Sequence, residues 1–293
     1  MTMRLKPKDR MHVRSDDEIR ERLLAGIPVT QRRAEVAGVS TALLEGGHGS
    51  PVVLLHGGIE TGGIYWAPVL PRLAESHRLV IPDVPGLGES EPFDRLDTDF
   101  FAAWFTDLLS LTCGEKPMIV AHSLPGSLAA RFAADHGGLL RGLVLVGVPG
   151  IGHYRLPLGL VVTAIRFNLA PSERNNARFA EWAFLDPDRT RGRDPEWYDA
   201  FMGYGLSRGM VPHVKRTMRQ LVKAGSKQIT DAELHGISVP TALIWGGRDR
   251  MVPLRIAQLA SAKFGWPLKV VPDAGHVPHI EQPEEFLRAL LEP

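Results

Sequence analysis

Met118-Ile119-Val120-Ala121-His122-Ser123-Leu124-Pro125-Gly126-Ser127 begins as a short apolar run, halts at a small residue and a serine, and resumes with helical spacing. Residues 118–121 read as a strand buried on both faces, and the segment from Ser123 through Ala134 as a helix closed by Gly137-Gly138. A serine at such a strand-to-helix corner presents its hydroxyl at the C-terminal edge of a sheet. The free N–H groups and partial positive charge of a helix start lie directly beneath it. Ser123 is therefore a candidate nucleophile, with the plainer alternative of a helix N-cap.

Working outward, short apolar runs suited to a parallel sheet occur at residues 51–55, 79–81, 143–146, 240–245 and 268–271. Helical patterns separate them at 67–74, 99–113, 253–263 and 284–291. Arg32–Val36 and Val39–Leu44 read as a hairpin turning at Ala37-Gly38. The alternation implies an α/β chain with a mostly parallel, doubly wound sheet. It lapses between Ile151 and Gly236, where helical patterns rich in aromatics and arginine replace strands. The organisation expected is an N-terminal arm over 1–30, a core of 31–150 and 237–293, and an inserted helical cap over 151–236.

A serine hydroxyl is a weak nucleophile until a base takes its proton and a third group orients that base. In an open parallel sheet those groups emerge from the C-terminal ends of strands. Asp249 follows the run 240–245 and His276 follows 268–271, each in a Gly-containing loop. His279 is a rival for His276, and a salt bridge with Arg248 or Arg250 is the structural alternative for Asp249. An oxyanion needs two backbone N–H groups. Leu124 at the helix start and Gly58 after residues 51–55 are the candidates, the Gly57-Gly58 pair allowing a close approach.

Taken together, His56-Gly57-Gly58, Asp83-x-Pro85-Gly86-x-Gly88-x-Ser90, the serine corner, Gly247-x-Asp249 and Gly275-His276 resemble a cap-bearing α/β-hydrolase over roughly residues 32–293. The resemblance implies a Ser123–His276–Asp249 triad with an oxyanion hole at Gly58 and Leu124. It also implies an esterase- or lactonase-like serine hydrolase that needs no cofactor. The usual Gly-x-Ser-x-Gly elbow is altered to Ala121 and Pro125. Proline is tolerated in a helix's first turn, and the Leu124 N–H is untouched. Epoxide hydrolases and haloalkane dehalogenases of this fold carry a carboxylate in place of Ser123, which disfavours them. A carbon–carbon bond hydrolase of ring-cleavage products shares the triad and is the nearest alternative, followed by a non-catalytic ligand-binding member.

Ile59, His122, Tyr154 and Trp182 are the candidate substrate contacts, with bracing as the other reading for His122. Glu60 reads as a solvated carboxylate beside the oxyanion loop, with a substrate contact as its lesser alternative, and Arg189, Arg191 and Arg193 as a solvated face, with a grip on phosphate or CoA as theirs. Residues are 44% hydrophobic and 23% charged with net charge +1, giving no reason to expect nucleic acid. The single cysteine, Cys113, excludes internal disulfides and multi-cysteine metal sites. No metal-ligand spacing or dinucleotide fingerprint is present. No apolar run reaches the roughly 20 residues of a membrane span, and residues 1–22 lack a signal-peptide core. The expectation is a cytoplasmic protein acting on a small molecule, with a homodimer left open.

Overall fold

A computed structural model describes residues 16–292. The first fifteen positions of the expected arm lie outside the described residues. Its remainder begins with the helix Asp16–Leu24, which docks on the helix Pro195–Met210. Ser207 donates to Asp16 at 2.9 Å, and Arg22 pairs with Glu196.

Eight strands form one sheet: β1 Val29–Val36, β2 Val39–Gly46, β3 Ser50–Leu55, β4 His77–Pro82, β5 Met118–His122, β6 Gly142–Val146, β7 Thr241–Gly246 and β8 Leu268–Val271. Their spatial order is β1-β2-β4-β3-β5-β6-β7-β8. β1/β2 and β2/β4 are antiparallel, and all remaining neighbours are parallel. The β1–β2 turn has φ values of 47° at Ala37 and 77° at Gly38, the left-handed pair that matches a tight hairpin's twist. An alanine there is strained. Asp107 holds the strained residue by accepting its N–H at 2.7 Å.

Successive residues of the central strands serve opposite faces, as a period of two requires. Val53 and Leu55 of β3 join a core with Phe101, Trp104, Phe105 and Trp245, while Val52 and Leu54 join another with Trp66, Leu70 and Phe286. This two-sided burial explains why the strands read as unbroken apolar runs. The helix Thr98–Thr112 is capped by Asp97, which accepts from Phe100 N at 3.0 Å. It turns Phe101, Trp104, Phe105 and Leu108 inward. Trp104 is fully buried and donates from Nε1 to Thr41 Oγ1 at 3.1 Å. Trp104→Ala is expected to cost about 3–5 kcal/mol of stability. The measurement is a lowered urea midpoint at unchanged slope.

The helix expected over 67–74 is longer and broken. It starts at Gly62, tightens to a 3₁₀ turn over Ala67–Val69, and resumes at Leu70–Ala74. Pro68 and Pro71 cause the breaks, since neither can donate to a helical ladder. The early start is set by Thr61, whose hydroxyl accepts from Ile64 N at 3.3 Å. Gly63 then fits flush on Leu44, where a Cβ would lie 1.9 Å from Leu44 Cδ1.

Between β6 and β7 lie six α-helices and no strand: Leu158–Leu169, Glu173–Ala183, Pro187–Arg193, Pro195–Met210, Pro212–Gly225 and Asp231–His235. Among the described residues no helix is long and apolar enough to cross a membrane.

Candidate active site

β5 hands the chain to the helix Ser123–His136 with no intervening loop, and the corner residue pays in backbone strain. Ser123 has φ 57°, a left-handed conformation rare outside glycine. Gly126 makes the corner possible, because a Cβ there would meet Val148 Cγ2 at 2.4 Å and Ala121 O at 3.0 Å. Pro125 lies in the first turn, where an N–H has no intrahelical partner, and the helix runs unbroken through it. Leu124 N–H belongs to the same unpaired first turn. The loop after β3 closes on the corner: a Cβ on Gly57 would sit 2.9 Å from Ser123 Cβ and 2.4 Å from His122 Nδ1.

Asp249, in the loop after β7, accepts from Met251 N and Val252 N, both at 2.8 Å, through Oδ1. Its Oδ2 lies 2.8 Å from His276 Nδ1, and His276 Nε2 lies 2.9 Å from Ser123 Oγ. Because Asp249 Oδ2 can only accept, the imidazole carries its proton on Nδ1 and leaves Nε2 free to accept from the serine. Asp249 and His276 are both buried, while Ser123 and Leu124 keep partial exposure.

His279 stands elsewhere. Its ring is fully buried, 4.2 Å from Trp66 and 4.8 Å from Tyr65 between centroids. His122 is also fully buried, and both its nitrogens are used within the protein. Tyr65 Oη donates to Nδ1 at 2.9 Å, and Nε2–H donates to the His276 carbonyl at 2.7 Å. The ring thus ties the serine corner to the histidine loop. His56 braces the other side, donating from Nδ1 to Gly58 O at 3.1 Å and accepting from Val84 N at 3.0 Å.

The other candidate contacts divide. Ile59 is half-buried and reaches toward Gly209 of the helix Pro195–Met210. Tyr154 donates to Met251 O in the loop of Asp249. Trp182 packs over Gly159, helix against helix within the insertion.

Several residues have places the sequence did not suggest. Glu60 is enclosed: its Oε2 stands 2.1 Å from where a Cβ on Gly58 would lie, and its Oε1 2.5 Å from one on Gly205. Arg189, Arg191 and Arg193 are exposed, as a solvated face requires, and they also make bonds to other segments. Arg189 donates to Asp273 O and Arg193 to Ile280 O, both at 2.6 Å, and Arg191 pairs with Asp199 at 2.8 Å. Glu281 joins the same seam, accepting from Leu185 N at 2.6 Å and Gly275 N at 2.5 Å. His276 N donates to Ala183 O at 2.8 Å. Among the described residues no His, Cys, Asp and Glu cluster could hold a metal ion.

Burial sets opposing protonation preferences. Desolvation pushes the carboxyls of Glu60, Asp83 and Glu281 up to about 7. It pushes His56 down to about 4, and His122 and His279 well below their ordinary 6.5. A raised carboxyl contributes stability that is lost as pH rises to about 7; a depressed histidine contributes stability that is lost as pH falls below 6.5. Between roughly pH 4.5 and 6.5 the two sets cancel in direction. The melting temperature is therefore expected to be nearly flat there and to drop on either side, which calorimetry across about pH 4–8 reads.

Residues 52–289 match the Alpha/beta hydrolase family, and the chain belongs to it. It is thus an enzyme of the hydrolase class. It is 26% identical over 275 residues to a 2-hydroxy-6-oxo-6-(2'-aminophenyl)hexa-2,4-dienoic acid hydrolase of Metapseudomonas resinovorans, covering 89% of each chain. It is 27% identical over 254 residues to a pimeloyl-[acyl-carrier protein] methyl ester esterase of Chromobacterium violaceum, covering 84% of this chain and 94% of that one. A solved carboxylesterase from Bacillus subtilis superposes with a TM-score of 0.76 at 20% identity, covering 94% of this chain and 95% of the other.

Proposed function

We propose that the protein hydrolyses a carboxylic ester or lactone of a small-to-medium apolar molecule, with Ser123, His276 and Asp249 as its catalytic residues. The observation that carries this is the unbroken hydrogen-bonded chain from Asp249 Oδ2 through His276 to Ser123 Oγ. His276 Nε2 takes the Ser123 proton as the oxygen attacks the carbonyl, and Asp249 stabilises the imidazolium. Backbone N–H groups of Gly58 and Leu124 receive the oxyanion. His276 then protonates the leaving alcohol, and afterwards deprotonates a water that attacks the acyl-enzyme and releases the acid.

The six helices of the insertion act as a cap over this site. Gly225 of the helix Pro212–Gly225 packs against Leu124, where a Cβ would be 2.8 Å from Leu124 O. Such a cover excludes bulk water and shapes the acyl pocket. The substrate is a small molecule, and the residues named supply every group the reaction uses.

A panel of esters and lactones with wild type and Ser123→Ala tests the reading. Burst release of p-nitrophenol that vanishes in the variant supports it. No turnover and no labelling of Ser123 by a fluorophosphonate sinks it. Similarity along 89% of a dienoic acid hydrolase keeps carbon–carbon cleavage as the second reading. Loss of the chromophore of a vinylogous 1,5-diketone, with poor ester turnover, would favour that reaction.

A further inference from the structure

Glu60 occupies a place with a consequence for substrate choice. It lies two residues beyond Gly58, whose N–H is assigned to the oxyanion, and its carboxylate is wedged between that glycine and Gly205 of the overlying helix Pro195–Met210. Tyr65 closes the same space, since its Cε2 stands 2.8 Å from the point a Gly58 Cβ would occupy. A side chain longer than hydrogen at either glycine would displace the carboxylate, so the backbone is shaped around it. Glu60 stays partly accessible, as Gly57, Gly58, Ile59 and Ser123 do.

The charged groups around Glu60 do not neutralise it. From the helix Gly62–Trp66, Tyr65 spends its hydroxyl on His122. From the overlying helix, Tyr204 donates to Glu89 at 2.7 Å and Arg208 donates to Gly88 O. Asp83, across the loop after β4, is itself a buried acid that accepts from Gly62 N and Glu89 N. Asp249, which like Glu60 acts on Tyr65, adds only negative charge. Among the described residues no Lys, Arg or His forms an ion pair with Glu60.

We infer that Glu60 is a specificity-determining residue of the proposed ester-cleaving site, admitting acyl groups that are uncharged and turning away those that carry a carboxylate. The inference rests on the ester reading above and narrows it. The Glu60 carboxylate accepts backbone hydrogen bonds from Ile59 and Glu60 but has no cationic partner, so its negative charge beside the oxyanion loop repels a second one across a water-poor gap. A dienoic acid, the substrate in the name of the Metapseudomonas relative, is such an anion at neutral pH.

The test compares kcat/KM for p-nitrophenyl hexanoate and octanoate with the mono-p-nitrophenyl esters of adipic and suberic acids, which end in a carboxylate instead of a methyl group. For wild type at about pH 8, the neutral-to-anionic ratio is expected to exceed that of Glu60→Gln by ~10-fold or more, as like charges several ångströms apart dictate. Lowering the pH through about 7 protonates Glu60 and should shrink the wild-type ratio, while the ratio in Glu60→Gln stays flat. Any pH effect on the shared chemical step acts on both esters alike and cancels from the ratio. A ratio equal in wild type and variant overturns the inference. So does a wild-type ratio that is no higher than the variant's at every pH from about 6 to 8. The neutral esters alone decide the ester reading: wild type that cleaves neutral and anionic esters equally leaves it standing and removes only the role of Glu60. Efficient cleavage of a dienoate without ester turnover removes both.

Discussion

Ser123→Ala is expected to lower kcat on a short p-nitrophenyl ester by roughly 10⁵- to 10⁶-fold, with KM changed little. The hydroxyl is the proposed attacking group, and nothing else at the corner can replace it. His276 Nε2 would be left facing a methyl group, able to activate water only in a poor position. Backbone strain makes the comparison clean. Ser123 is left-handed, and alanine is no worse suited to that conformation than serine, so the corner should fold as before. Stopped-flow absorbance checks the burst, and an unchanged melting temperature checks the fold. A variant retaining more than about a hundredth of wild-type kcat would remove Ser123 as nucleophile.

Asp249→Asn is expected to cost about 10⁴-fold in kcat, and the geometry says why so small a change does so much. One oxygen of Asp249 accepts two backbone N–H groups, from Met251 and Val252. An asparagine must keep its carbonyl there and therefore turns its NH₂ toward His276 Nδ1. That amide donates, so Nδ1 must accept and the imidazole proton moves to Nε2. The ring then offers Ser123 a donor where a base is required. The defect should persist at high pH, because the tautomer is at fault and not a missing charge. Steady-state kinetics from about pH 6 to 10 checks this, and recovery to near wild-type rate at alkaline pH would contradict it.

Much of the architecture was legible because each central strand is buried on both faces and so writes itself as a continuous apolar run. The corner was legible for a related reason: a strand ending directly in a helix leaves no loop residues to obscure the serine. Asp249 and His276 were named from their loops after strand-like runs, and their grouping with Ser123 from the resemblance to a cap-bearing α/β-hydrolase. What stayed hidden was side-chain pairing between distant segments. Tyr65 sits in a stretch that reads as loop because two glycines precede it, and its bond to His122 spans 57 residues. Glu281 lies outside every segment the sequence singled out, and Arg189 and Arg193 read as solvent-facing charge. Their roles depend on carbonyls and N–H groups that no residue type advertises. The surroundings of Glu60 were hidden for the same reason, since its close fit depends on the absence of side chains at Gly58 and Gly205.

The seam between the insertion and the histidine loop bears on how this enzyme could be re-engineered or could have diversified. His276 N finds its acceptor in Ala183, Gly275 N and Leu185 N share Glu281, and Arg250 reaches back to Glu181 O at 3.1 Å. Residues 181–185 are therefore tied to the loops of the proposed base and its orienting acid although they lie in the middle of the helical stretch between β6 and β7. Replacing the whole helical stretch between β6 and β7 as one block would remove the groups that hold the His276 loop. Chimeras that exchange the stretches on either side and retain this short strip are expected to keep the proposed base in place.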